Sequence, residues 1–206
     1  MGLLVVFALA LFCALGVLGL DVSRAVGARA RLRTALDAAA LAACKQAALV
    51  PEYRYTLLDG DGNETTDPSK AAVVRAEVVG FHCDLAGRDA QALAQARAAF
   101  GQNLSGGRDP LRDAREVSFS GGVRYDRPKT GKDGSTYYDE YRTEGSLAVR
   151  SYLLAGPLAR WLAGGLVREG SPGGQGEEWA GYIVVSAEGT AQALPPPPPA
   201  AGAAAP

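Results

Sequence analysis

Few residues in this 206-residue chain could do chemistry, and they are scattered. His82 is the only histidine, so a Ser-His-Asp relay or a multi-histidine metal site has almost no material. His82-Cys83-Asp84, taken with Cys44, offers ligand types that zinc accepts, but their spacing matches no standard zinc pattern. Asp59, Asp61 and Asn63 alternate oxygen ligands like the opening of a calcium loop. Glu64 stands where that loop needs glycine and Lys70 where it needs a bidentate acid, so the stretch reads as a solvated turn. Thr130-Gly131-Lys132-Asp133 matches a phosphate loop only in part, because Asp126 replaces the first glycine and Asp133 the hydroxyl residue. No paired carboxylate, nucleophile elbow or dinucleotide fingerprint occurs. The expectation is a non-enzyme with no catalytic, cofactor-binding or metal residue, no cofactor and no small-molecule substrate.

The cysteines carry the remaining side-chain chemistry. If the body lies outside the cytoplasm, Cys44 and Cys83 are candidates for a disulfide tying a second helical region to the first helix. Cys13 lies inside an apolar run and reads as a small apolar residue there. A thiol or metal enzyme built on Cys44, His82 and Cys83 is a third and weakest reading, behind two non-enzymatic ones.

The elements that would position such residues are set first by composition. The chain is 48% hydrophobic and 21% charged, with 21 Lys+Arg against 22 Asp+Glu, which suits a folded protein of one modest domain. A net charge of -1 and 7% aromatic residues give no basis for a nucleic-acid partner. The first charged side chain is Asp21, and Leu3 to Leu20 is an uninterrupted uncharged run. As a helix it would extend about 27 Å, close to the thickness of a bilayer's hydrocarbon core.

A membrane anchor fits that run best. A cleaved secretory signal lacks its basic start, and a soluble core helix this apolar needs a larger body around it. Gly16 and Gly19 would weaken a soluble helix, but in a membrane they let a neighbouring helix approach closely. Arg24, Arg29, Arg31 and Arg33 follow the span, and charge alone would hold the body in the cytoplasm. Residues upstream of Met1, if the natural start lies there, would carry the deciding charge.

Beyond Asp21 no proline occurs before Pro51, so the helix is expected to continue to about Ala48, interrupted only by Gly27. Leu32, Leu36, Ala39/Ala40 and Ala43 form a narrow apolar stripe, with Arg29, Arg33 and Asp37 on another face. Pro51 would end this stalk. Tyr53 to Leu58 reads as a short strand or extended loop before the Asp59-Gly60-Asp61-Gly62-Asn63 turn. A second helical region is expected within Ser69 to Leu104, capped by Ser69, divided at Gly87 and clearest from Asp89 to Phe100.

Glu116 to Tyr125, Thr136 to Leu153 and Tyr182 to Leu194 carry the β-branched and aromatic residues of antiparallel strands, with Lys129 to Ser135 as a hairpin loop. Leu158 to Leu166, with Trp161, reads as a short amphipathic helix that packs on the sheet or touches the membrane surface. Pro195 to Pro206 reads as a Pro/Ala-rich tail.

Three stretches carry a family resemblance. They are Val6-Phe7-Ala8-Leu9-Ala10-Leu11, Leu15-Gly16-Val17-Leu18-Gly19-Leu20-Asp21, and Ala30-Arg31-Leu32-Arg33-Thr34-Ala35-Leu36-Asp37-Ala38-Ala39-Ala40-Leu41-Ala42-Ala43. Together they resemble the N-terminal module of TadE/TadG-like Flp (tight adherence) pilus-assembly proteins, whose apolar span runs into an alanine-rich helix. Ala96 to Leu104 is similar to that family's second helix, and the strand ending Val184 to Ala191 to its closing strand. Two features of related proteins are missing. Cleavage after Gly2 would put Phe7 where a processed pseudopilin has glutamate, and Asp21-Val22-Ser23-Arg24-Ala25 breaks the Asp-x-Ser-x-Ser metal motif of a von Willebrand A-like domain.

The residue patterns and the resemblance together give the expectation of an α+β, pilin-like protein: transmembrane helix 1–20, stalk helix 21–50, extracytoplasmic body 51–194 and disordered tail 195–206. It implies a single-pass structural component of the cytoplasmic membrane whose partners are the bilayer and other pilus-assembly or pilin-like proteins. The alternative, supported by the arginines, is a membrane-anchored binding or sensor module with a cytosolic body.

Overall fold

A computed structural model describes residues 2–105, 114–152 and 182–195. The order of elements is α1 (Gly2–Cys44), β1 (Ala48–Leu58), β2 (Glu64–Thr65), β3 (Val73–Asp84), α2 (Asp89–Ser105), β4 (Arg115–Val123), β5 (Lys129–Thr130), β6 (Thr136–Tyr137), β7 (Glu140–Arg150) and β8 (Tyr182–Gln192). The strands form sheets in the orders β2-β1-β3, β4-β7-β8 and β5-β6. The fold is α+β, with a long apolar N-terminal helix, a second helix and small sheets. The expected helix around Trp161 and the tail beyond Pro195 lie outside the described residues.

The continuous first helix is present, about 65 Å long by its 43 residues. Its stripe is buried as the periodicity requires: Leu32, Leu36, Ala39, Ala40 and Ala43 are all fully enclosed, and so is Ala28 one turn earlier. The helix stops earlier than expected, at Cys44, and the chain turns through Lys45 to Ala47 into β1. Pro51 therefore sits inside a strand opposite Phe81. It is tolerated because β2 pairs only with Leu57 and Leu58, so at Pro51 β1 has one edge without a ladder partner among the described residues.

The larger correction concerns Ser69 to Leu104. Ser69 does not cap a helix; its N–H and hydroxyl both bond the Asp67 carboxylate in a turn. The helix begins only at Asp89, and residues 73–84 form a strand instead. Val73, Val74, Val78, Val79 and Phe81 are β-branched or aromatic, and the long antiparallel register from Ala48↔Asp84 to Leu58↔Val73 outweighs the helix-forming Ala76 and Glu77 between them. Gly87, at φ 73°, makes the turn into α2.

The chain divides into two compact units, 1–38 with 97–120 and 143–189, and 39–96 with 121–142 and 190–206. In the first, α1 lies against glycines. A Cβ on Gly189 would come within 2.7 Å of the Leu36 carbonyl carbon and 2.8 Å of the Asp37 nitrogen, and one on Gly145 within 2.9 Å of the Ser118 oxygen and 3.3 Å of Leu36. Thr143 fixes the same contact, its hydroxyl within 3.0 Å of the Leu36 carbonyl and 3.2 Å of that of Gly189. Phe100 and Phe119 pack with ring centroids 4.8 Å apart.

In the second unit a polar staple does comparable work. The β5-β6 hairpin, Lys129↔Tyr137 and Thr130↔Thr136, follows the expected loop and turns at Gly134 with φ 81°. Buried Glu52 accepts the Lys132 N–H at 3.1 Å and lies 3.2 Å from His82 Nδ1, while the His82 ring stacks on Tyr137 at 4.2 Å. Lys129 bonds the buried Asp139 carboxylate at 2.7 Å, and Gln192 bonds the same oxygen at 2.8 Å.

Candidate membrane-proximal site

Most of residues 3 to 20 of α1 present their side chains outward: Leu3 is 89% exposed, and Phe7 and Phe12 are 73% exposed each. Among the described residues α1 alone is long and apolar enough to cross a bilayer, and its apolar window buries nothing within the chain. Gly16 and Gly19 lie on this surface, and a Cβ at either would meet no atom within 4 Å. Each is open to close approach by a second helix.

The first charge after the span changes the environment abruptly. Asp21 is only 3% exposed. One carboxylate oxygen accepts the Ser151 hydroxyl at 2.5 Å and the other the Tyr152 N–H at 2.8 Å. One turn later Arg24 donates to the Arg150 carbonyl at 3.2 Å and lies 4.5 Å from the centre of the Tyr152 ring. Asp21 and Arg24 thus clasp the end of β7 to the helix where the apolar run stops. A buried carboxylate is costly unless fully bonded, and these donors satisfy it. The sequence marks Asp21 as a boundary, but Ser151 and Tyr152 lie about 130 positions away with no local signal.

The candidate chemical residues take structural roles. Asp59 Oδ1 accepts the N–H groups of Asp61 at 3.0 Å and Asn63 at 2.8 Å, so the calcium-like stretch is a turn held by its own carboxylate. Asp133 accepts the N–H and hydroxyl of Ser135, making the phosphate-loop look-alike the tip of the β5-β6 hairpin. His82 is buried against Glu52 and Tyr137. Its neighbour Cys83 in β3 projects to the other side of the strand, so the His82-Cys83-Asp84 triplet does not converge. Among the described residues no group of three or more His, Cys, Asp and Glu could hold a metal ion.

Cys13, Cys44 and Cys83 are free thiols, the first exposed and the other two buried. Burial pushes the Cys44 thiol up to about 11 against a backbone hydrogen bond from Tyr141, and burial followed by the charge of Asp139 raises that of Cys83. Both are poor nucleophiles near neutral pH. Glu52 and Tyr137 escaped the sequence reading because nothing local distinguishes a buried glutamate on a strand from an exposed one.

No curated protein and no solved structure matches the chain. The span, the helix side of the clasp (Asp21 and Arg24) and the stalk lie within one matched segment: residues 1–49 match the Tad family model, described as "Putative Flp pilus-assembly TadE/G-like".

Proposed function

We propose that this chain is a single-pass, membrane-anchored structural component of a Flp/Tad-type pilus or its secretion apparatus, working by packing and protein contacts. The observation that carries the reading is that the family match, residues 1–49, contains the whole of one unbroken helix, Gly2–Cys44, that leaves an apolar span and becomes a buried stalk. Residues 1–20 anchor the chain in the cytoplasmic membrane, and the body beyond the stalk lies on the extracytoplasmic side. Other pilus-assembly or pilin-like membrane proteins meet the span at Gly16 and Gly19. In that compartment Cys44 and Cys83 are the pair to test for a disulfide.

Gly16→Leu with Gly19→Leu, in cells that assemble the pilus, is expected to reduce co-purification with other pilus components while leaving membrane insertion intact. Unchanged association would remove the glycines from the account. Arg24, Arg29, Arg31 and Arg33 support a second reading, a binding or sensor module with a cytosolic body, because basic residues resist translocation.

A further inference from the structure

β3 ends its sheet: the order is β2-β1-β3, so β1 covers one side of β3 and no strand among the described residues covers the other. The end of β3 near the hairpin is closed. The register skips Val79, whose carbonyl takes the Lys132 ammonium at 3.4 Å, and Asp84 accepts the Tyr138 N–H. Residues 73–78 remain, all exposed, about 20 Å of strand. Exposed edges in soluble domains are ordinarily blunted by proline, lysine or a bulge. This stretch, Val73-Val74-Arg75-Ala76-Glu77-Val78, has neither proline nor lysine; the bulge lies just beyond it at Val79, and its two charges, Arg75 and Glu77, are of opposite sign and can pair across a two-fold axis.

Its two faces differ. By the β1 register, Tyr53↔Val78, Tyr55↔Ala76 and Leu57↔Val74 share one face, while Arg54↔Glu77 and Thr56↔Arg75 share the other. Tyr53, Tyr55, Val74 and Val78 are 37 to 67% exposed, so the apolar face is uncovered as well as the edge.

We infer that β3 pairs, antiparallel and about a two-fold axis through Ala76, with β3 of a second copy of this chain. The occupant follows from charge. With the faces of the two sheets matched, residues directly opposite must have the same parity, so the axis passes through a residue. An axis at Arg75 would oppose two arginines, and one at Glu77 two glutamates. An axis at Ala76 sets Arg75 against Glu77 of the other copy twice over, and Val74 against Val78 on the apolar side. Moving the axis one residue further either way leaves both charges facing apolar residues. The ion pairs fix the register, and the backbone ladder and the Tyr/Val face supply the attraction. Each three-stranded sheet becomes half of a continuous six-stranded one, with an isologous interface. This pairing rests on the β3 edge alone and holds whichever way the body is oriented.

The test uses the full chain in detergent and in phosphatidylcholine vesicles, with Cys13→Ser to remove the exposed thiol. Opposed residues in an antiparallel pair lie about 4.5 to 5.5 Å apart at Cα, within disulfide range. Ala76→Cys under copper–phenanthroline oxidation is expected to give covalent dimers on a non-reducing gel, and Glu64→Cys on the opposite edge none. Adding Arg75→Glu is expected to abolish the link, and Arg75→Glu with Glu77→Arg and Arg54→Glu to restore it, since this swap rebuilds both ion pairs and keeps an opposite charge across from residue 77 within each copy. Equal cross-linking at positions 76 and 64, or a link indifferent to Arg75→Glu, would overturn the pairing. So would a dimer that survives Arg75→Glu and gives no link at 76; the membrane helix would then be holding it.

Discussion

The two units are stabilised by opposite means. In the unit containing residues 143–189, α1 approaches the sheet so closely that only hydrogen fits at Gly189, and the contacts at Leu36 and Asp37 are with backbone. In the unit containing residues 39–96, a buried polar pair, Glu52 with His82, stacked on the half-buried Tyr137, fixes the β5-β6 hairpin while much of β3 stays exposed. The first arrangement tolerates almost no added volume. The second tolerates volume at its edge but not the loss of a partner. The difference teaches where each will fail: one by steric insertion, the other by leaving a buried polar group alone.

Gly189→Val should be the most damaging single change. Its side chain would overlap the α1 backbone, which cannot rotate away, and the expected cost is about 4 kcal/mol or more in urea unfolding. A loss below about 1 kcal/mol would mean the helix can slide off the strand. In the other unit, Glu52→Ala strips His82 and the Lys132 N–H of their buried acceptor at once. The expected loss is about 3 kcal/mol, with hydrogen exchange at residues 129–137 rising before that elsewhere.

The next effect depends on pH. Cys44 holds its proton to about 11 in the fold against an ordinary 9.0. The folded state therefore binds more protons than the unfolded between those values, and stability falls as pH rises through that window. Below 9 the contribution is fully present. In reduced protein the decline should reach about 2 kcal/mol, and Cys44→Ala should flatten that share of the slope. An unchanged slope would mean that Cys44 is not the group being titrated.

The smallest effect has the opposite sign. A Cβ at Gly101, inside α2, meets nothing within 4 Å, so Gly101→Ala should stabilise by about 0.5 to 1 kcal/mol. Set beside Gly189→Val it separates a glycine needed for space from one that is not, within a single unit.

The first helix was legible because its signals are local: an uncharged run, then Leu32, Leu36 and the alanines at helical spacing. α2 was legible from Asp89 for the same reason. β3 was misread because Ala76 and Glu77 weigh towards helix in isolation, and the pairing that decides the matter joins it to β1, up to 36 positions away. Val73, Val74, Val78 and Val79 are the local signal that favours a strand there. The membrane-edge clasp was legible only in part. Asp21 marks the boundary, but its partners become visible only when β7 returns to the helix. Likewise His82 reads as a candidate ligand until Glu52 and Tyr137 are seen to enclose it.

The central claim is that α1 crosses the cytoplasmic membrane and leaves the body outside. It is tested most directly by protease digestion of cells whose outer barrier has been removed and whose cytoplasmic membrane is intact, following an epitope attached after residue 195. Loss of the epitope from intact cells, with a cytoplasmic marker protected, is the predicted result. Protection until the cells are lysed would contradict it and give the arginines after the span command of the topology.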